Sequence, residues 1–172
     1  YDEIAALFDS VYVSFYKDLG GIAGAALAGP AAFIAQARVW QRRHGGNLVQ
    51  LYPFVVAARM GLHTRLDRMP AYYAKAQAIA AVLAELPEIT VVPDPPQTNM
   101  LHLFLRGDRT RLIAAALDLA QATSTWMFNG LATTPLPDQH QMELTAGDAT
   151  LALPTDEIAA LFRQLFERAG VR

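Results

Sequence analysis

A serine and a lysine three residues apart, Ser14 and Lys17, stand where a strand-like run gives way to small residues in S-F-Y-K-D-L-G-G-I-A-G-A-A-L-A-G. Lysine is ordinarily spread over solvent-facing surface. At the end of a strand its amine sits where α/β folds present reactive groups, and the glycines that follow leave room for a ligand. Such an amine forms a Schiff base with a carbonyl compound once burial or a nearby cation lowers its pKa. The plainer reading, a solvated lysine in a strand-to-loop turn, stays open on these residues alone.

The S-x-x-K spacing also marks the nucleophile of penicillin-recognising serine enzymes. Their companion S-D-N and K-T-G motifs are absent here, and Ser14 lies in a strand pattern instead of at a helix start. The four histidines, His44, His63, His102 and His140, have no metal-ligand spacing and read as ordinary surface or satisfied side chains. No metal site is expected. Trp40, beside Q-R-R-H-G-G, reads as a packing or subunit-interface residue.

These residues must be positioned by the elements around them. Asp2 to Phe8 reads as a short amphipathic helix, and its heptapeptide D-E-I-A-A-L-F recurs at Asp156 to Phe162 with unrelated flanks. From Ser10 to Tyr16 the period is two, with Val11, Val13 and Phe15 on one face and Tyr12, Ser14 and Tyr16 on the other. A second short strand follows through Leu27. Pro30 opens a helix that Gly45-Gly46 ends, with cations in its last turn. Further helices are expected from Leu48 to Arg68 and from Pro70 to Leu86, the apolar stripe of the latter packing on its own sheet.

Beyond Pro87 come a short strand at T-V-V, a proline-rich link and a strand from Asn99 to Leu105. Asp108 caps a helix through Gln121, W-M-F-N-G-L-A-T-T-P-L and H-Q-M-E-L-T-A-G supply two more strands, and Thr155 begins the closing helix. This order predicts an α/β (α+β) chain whose second part is a two-layer unit with a mostly antiparallel sheet covered on one face. A boundary is expected near residues 68–70.

Composition narrows the functional classes. The chain has 172 residues, a net charge of −2 and no cysteine, so disulfides, thiolate catalysis and zinc–thiolate sites are excluded. No basic stretch interleaved with aromatics suggests nucleic acid. The first residues lack a signal-peptide pattern, and the longest uncharged window, Leu19 to Arg38, is Gly/Ala-rich and broken by Pro30. A cytoplasmic setting without membrane contact is expected. Because the chain starts at Tyr1, without Met and directly on an element, it is expected to be part of a longer one.

The run D-S-V-Y-V-S-F-Y-K-D-L-G-G-I-A-G, continuing through A-R-V-W-Q-R-R-H-G-G, L-V-Q-L-Y-P-F-V-V-A-A-R and P-D-P-P-Q-T-N-M-L-H-L-F, resembles the C-terminal half of the threonine aldolase and β-eliminating lyase family. Those are pyridoxal-phosphate enzymes of the aspartate-aminotransferase fold. The resemblance implies that residues 1–69 are the end of the large cofactor-binding domain and 70–172 the small α/β domain. It implies that Lys17 holds pyridoxal phosphate as a Schiff base and shuttles protons, that Ser14 donates to the cofactor phosphate, and that Arg42 lies near that phosphate at a subunit boundary, where a guanidinium pairs bidentately.

Two positions depart from the family pattern. Val49 stands where an arginine follows the double glycine, and Glu143 where an arginine grips the substrate carboxylate, with Arg106 or Arg163 as substitutes. The phosphate loop, the ring-stacking residue and the aspartate that pairs with the pyridine nitrogen would all precede Lys17. The implied activity, for the complete protein, is lyase cleavage of a small β-hydroxy or β-substituted amino acid in a homodimer or homotetramer, with this chain alone inactive. The rival is a non-catalytic assembly or regulatory module that kept the fold and lost the chemistry.

Overall fold

A computed structural model describes residues 2–171. They form two compact units, one running through Arg68 and the other starting at Met69.

The first unit opens with one turn of helix, α1 (Asp2–Ala5). Strands β1 (Val11–Ser14) and β2 (Ala25–Ala28) then pair antiparallel, Val11 opposite Ala28 and Ser14 opposite Ala25. Helix α2 (Ala31–Arg43) starts directly after Pro30 and ends with Arg42 and Arg43 in its last turn, where positive charge meets the negative end of the helix dipole. The chain leaves it through Gly45 at φ +73°, a conformation that costs glycine little.

Helix α3 (Tyr52–Thr64) is shorter than the pattern from Leu48 predicts. Pro53 explains the late start: proline is accommodated in a first turn, but deeper in a helix its ring strikes the carbonyl four residues earlier. A separate 3₁₀ turn, Leu66–Arg68, closes the unit. Its buried side chains are few, Leu19 and Ala58.

The second unit has the expected two layers. Helix α4 (Met69–Leu83) leads into β3 (Ile89–Val92) and β4 (Met100–Arg106). Helix α5 (Arg109–Thr123) follows, with the Asp108 carboxylate accepting from the Arg111 N–H at 2.9 Å as its cap. Then come β5 (Ala132–Thr133), β6 (Gln139–Thr145), a short α6 (Asp148–Ala152) and α7 (Thr155–Ala169). The sheet order is β3-β4-β6-β5 and each pairing is antiparallel.

Alternation along β4 decides the layering. Leu101, Leu103 and Leu105 are completely buried, while Met100, His102 and Phe104 are half-buried on the other face. The buried face joins a core that includes Ile79 and Leu83 of α4, Leu112 and Leu119 of α5, and Phe162 and Leu165 of α7.

The strand expected from Trp126 to Leu136 shrinks to two residues. Asn129-Gly130 before it and Pro135 after it break the ladder. Within the core, His140 is buried and neither ring nitrogen has a hydrogen-bond partner among the described residues. No described helix is long and apolar enough to cross a membrane.

Candidate active site

Lys17 sits in the connection between β1 and β2, three residues past the last strand residue, and is exposed. The loop around it is fixed mainly by backbone bonds. The Gly20 N–H donates to the Lys17 carbonyl at 2.8 Å, the Gly21 N–H to the Phe15 carbonyl at 2.7 Å, and the Phe15 N–H to the Gly24 carbonyl at 3.0 Å. Gly20 at φ +68° and Gly24 at φ +96° take up the reversals.

Helix α3 clamps this loop from below. A Cβ at Gly61 would collide with the Leu19 carbonyl, so the glycine inside that helix is what permits the contact. Arg65, one residue beyond α3, donates Nη1 to the Asp18 carbonyl at 3.4 Å. The lysine is therefore displayed by a braced turn, while its amine has no hydrogen-bond or ion-pair partner among the described residues.

Ser14 is half-buried at the end of β1, opposite Ala25, and shares its strand face with Tyr12. The Tyr12 and Tyr16 hydroxyls lie 3.4 Å apart. That hydrogen bond, with some desolvation, raises the Tyr12 phenol above its ordinary pKa. Two cavities flank the hairpin: one of about 250 Å³ reaches Phe15, Gly24 and Arg59, and one of about 460 Å³ reaches Gly20, Tyr52 and Arg65. Lys17 lines neither.

Arg42 is exposed in the last turn of α2. Its neighbour Arg43 places its guanidinium 5.0 Å over the Trp40 ring, and Trp40 stacks on His44 at 5.6 Å. No hydrogen bond or ion pair among the described residues joins Arg42 to Ser14 or Lys17. The hairpin thus unites two of the three expected site residues and leaves the third on another element.

Residues 1–106 match the family described as Beta-eliminating lyase, more than half of the chain. The chain belongs to the β-eliminating lyase family. Low-specificity L-threonine aldolase 1 of Arabidopsis thaliana is 30% identical over 109 residues, which cover 63% of this chain and 30% of that protein. A crystal structure from Exiguobacterium sp. 255-15, provisionally assigned as an aromatic amino acid β-eliminating lyase/threonine aldolase, superposes with a TM-score of 0.86 at 40% identity. It is matched over 96% of this chain and 46% of its own. A Listeria monocytogenes EGD-E structure, provisionally assigned as an L-allo-threonine aldolase, gives 0.87 at 35% identity over 97% of this chain and 46% of its own. The chain therefore spans under half the length of these solved relatives, and its mixed α/β architecture with antiparallel sheets is theirs.

β-Eliminating lyases and threonine aldolases depend on pyridoxal phosphate. The donor set of the hairpin suits that group: a free primary amine for its aldehyde and a free hydroxyl for its phosphate.

The two departures from the family pattern both lie on open surface. Val49 is fully exposed ahead of α3. Glu143 is exposed on β6, directly opposite His102 of β4. Arg106 and Arg163 are exposed, at the end of β4 and on α7. Sequence reasoning missed the brace at Gly61 and Arg65; a glycine inside a helical pattern was the one local signal for it.

Proposed function

We propose that the chain is the C-terminal half of a pyridoxal-phosphate-dependent amino-acid lyase resembling threonine aldolase. Residues 1–69 complete its large cofactor-binding domain and 70–172 form its small domain. The substrate is a small β-hydroxy or β-substituted amino acid, and the active protein is a homodimer or homotetramer in the cytoplasm.

The observation that carries this reading is the backbone-braced turn that displays Lys17 between β1 and β2. In it, Lys17 holds the cofactor covalently through Nζ and, once that nitrogen is free, moves a proton at the substrate. Ser14 Oγ donates to the phosphate, and the Arg42 guanidinium neutralises it from α2. When bound, the cofactor supplies the electron sink that makes bond cleavage at the amino acid feasible.

The surface of the first unit supports the half-protein reading. Phe33, Trp40, Val55, Val56 and Met60 are all exposed along α2 and α3, an apolar area beyond what scattered surface residues explain. Preceding chain covering those helices would also carry the missing cofactor contacts.

The test is lyase activity of the complete protein on L-threonine and L-allo-threonine, read as aldehyde release. The wild type should release aldehyde and Lys17→Ala should lose at least about 10³-fold, as expected when a covalent-catalysis residue is removed. Equal rates would sink the assignment of Lys17. The 172-residue chain alone should release none.

A further inference from the structure

We propose that Asn129 is a site of spontaneous covalent modification, at which the backbone nitrogen of Gly130 attacks the side-chain amide and leaves aspartate or isoaspartate in the loop before β5. The site lies wholly within the second unit, so it goes beyond the lysine chemistry proposed above and does not depend on it.

The chain has three asparagines, Asn47, Asn99 and Asn129, and glycine follows only the last. Glycine matters there because the attacking nitrogen must swing onto Cγ of the preceding residue, and a residue without Cβ is the least restricted in doing so. Both Asn129 and Gly130 are exposed. The Gly130 N–H makes no hydrogen bond among the described residues, so no turn or ladder holds the nucleophile back.

The side chain is anchored at one end only. The Trp126 indole N–H, which can only donate, gives a hydrogen bond to Asn129 Oδ1 at 2.9 Å. That bond draws electron density from Cγ, the atom attacked, while Nδ2 has no partner among the described residues and is left to depart.

The other two asparagines lack this combination. Asn47 is equally exposed but precedes Leu48. Asn99 commits its Nδ2 to the Ala146 carbonyl at 2.9 Å, and the next N–H, that of Met100, donates to Thr98 Oγ1 at 3.2 Å.

The step balances with water as the only co-reactant. Gly130 N gives up its proton and bonds to Asn129 Cγ; the Cγ–Nδ2 bond breaks, and Nδ2 leaves with that proton as ammonia. Water then opens the resulting succinimide at either carbonyl. One opening restores the normal backbone with an aspartate side chain, and the other routes the backbone through Cγ as isoaspartate. Either product adds a negative charge. Isoaspartate also lengthens the backbone between Phe128 and Leu131, both buried, and the Leu131 carbonyl is tied to Arg109 Nε at 2.7 Å.

The test ages the complete protein at neutral and mildly alkaline pH, digests it under mildly acidic conditions and follows the Asn129 peptide by chromatography and mass spectrometry. The mass gained when NH₂ is exchanged for OH should grow with time at Asn129, ahead of Asn47 and Asn99, in separable aspartate and isoaspartate forms. It should grow faster at the higher pH, since the attacking nitrogen must lose its proton. Gly130→Ala places a methyl in open space at a φ outside the left-handed region, so the fold is kept while the rate should fall about tenfold or more. An unchanged rate in Gly130→Ala, aspartate without isoaspartate, or a signal already complete in unaged protein would overturn the proposal. So would an inert Asn129 in the complete protein when the isolated peptide converts, since the fold would then block the attack.

Discussion

In residues 69–171, Leu101, Leu103, Leu105, Leu112, Leu119 and Leu165 are completely buried between one sheet and three helices. In residues 2–68 the buried hydrophobics are Leu19 and Ala58, while Leu7, Phe8, Ile22, Trp40, Val56 and Met60 face outward. Both parts have amphipathic helices and antiparallel strands; they differ in whether the apolar faces meet each other. The second unit closes its own core. The first carries a well-braced turn at Lys17 on a body whose apolar surface is left open, the arrangement expected of a part that is stable against further protein and presents chemistry there.

Four substitutions test that contrast. Leu103→Ala removes a fully buried side chain under the helices and should cost about 2–5 kcal/mol, read from the urea midpoint of the second unit. Gly61→Val forces a side chain into the Leu19 carbonyl; it should cost about 1–3 kcal/mol and accelerate hydrogen exchange at the Gly20 and Gly21 amides. His140→Leu should stabilise the second unit by about 1 kcal/mol, because two unpartnered nitrogens no longer need to be desolvated. Met60→Ala should change the stability of this chain by less than about 0.5 kcal/mol, but clearly more in the complete protein. If Met60→Ala costs this chain as much as Leu103→Ala, the two units do not differ in the way described.

The parts of the molecule legible in the sequence are those written in local patterns. The switch from period two at Val11–Phe15 to glycines fixed the Lys17 turn, and Asp108 announced the start of α5 by the chemistry of its cap. The apolar run from Asn99 to Leu105 located β4. What was not legible depends on partners far along the chain. Gly61 and Leu19 are more than forty residues apart, and nothing near either names the other. Periodicity marks an apolar face on α3 without saying whether anything covers it. The unpaired outer edge of β6 from Met142 to Thr145 arises because β5 is interrupted by Asn129-Gly130 and Pro135, an absence of pairing that a strand-like composition concealed.

The central claim is that Lys17 is the attachment point for pyridoxal phosphate, and reductive trapping tests it most directly. The complete protein is incubated with the cofactor, reduced with borohydride, digested and analysed by mass spectrometry. The account predicts the cofactor mass on the peptide containing Lys17 and none there in Lys17→Ala. Stoichiometric label on another lysine, with the Lys17 peptide unmodified, would contradict it.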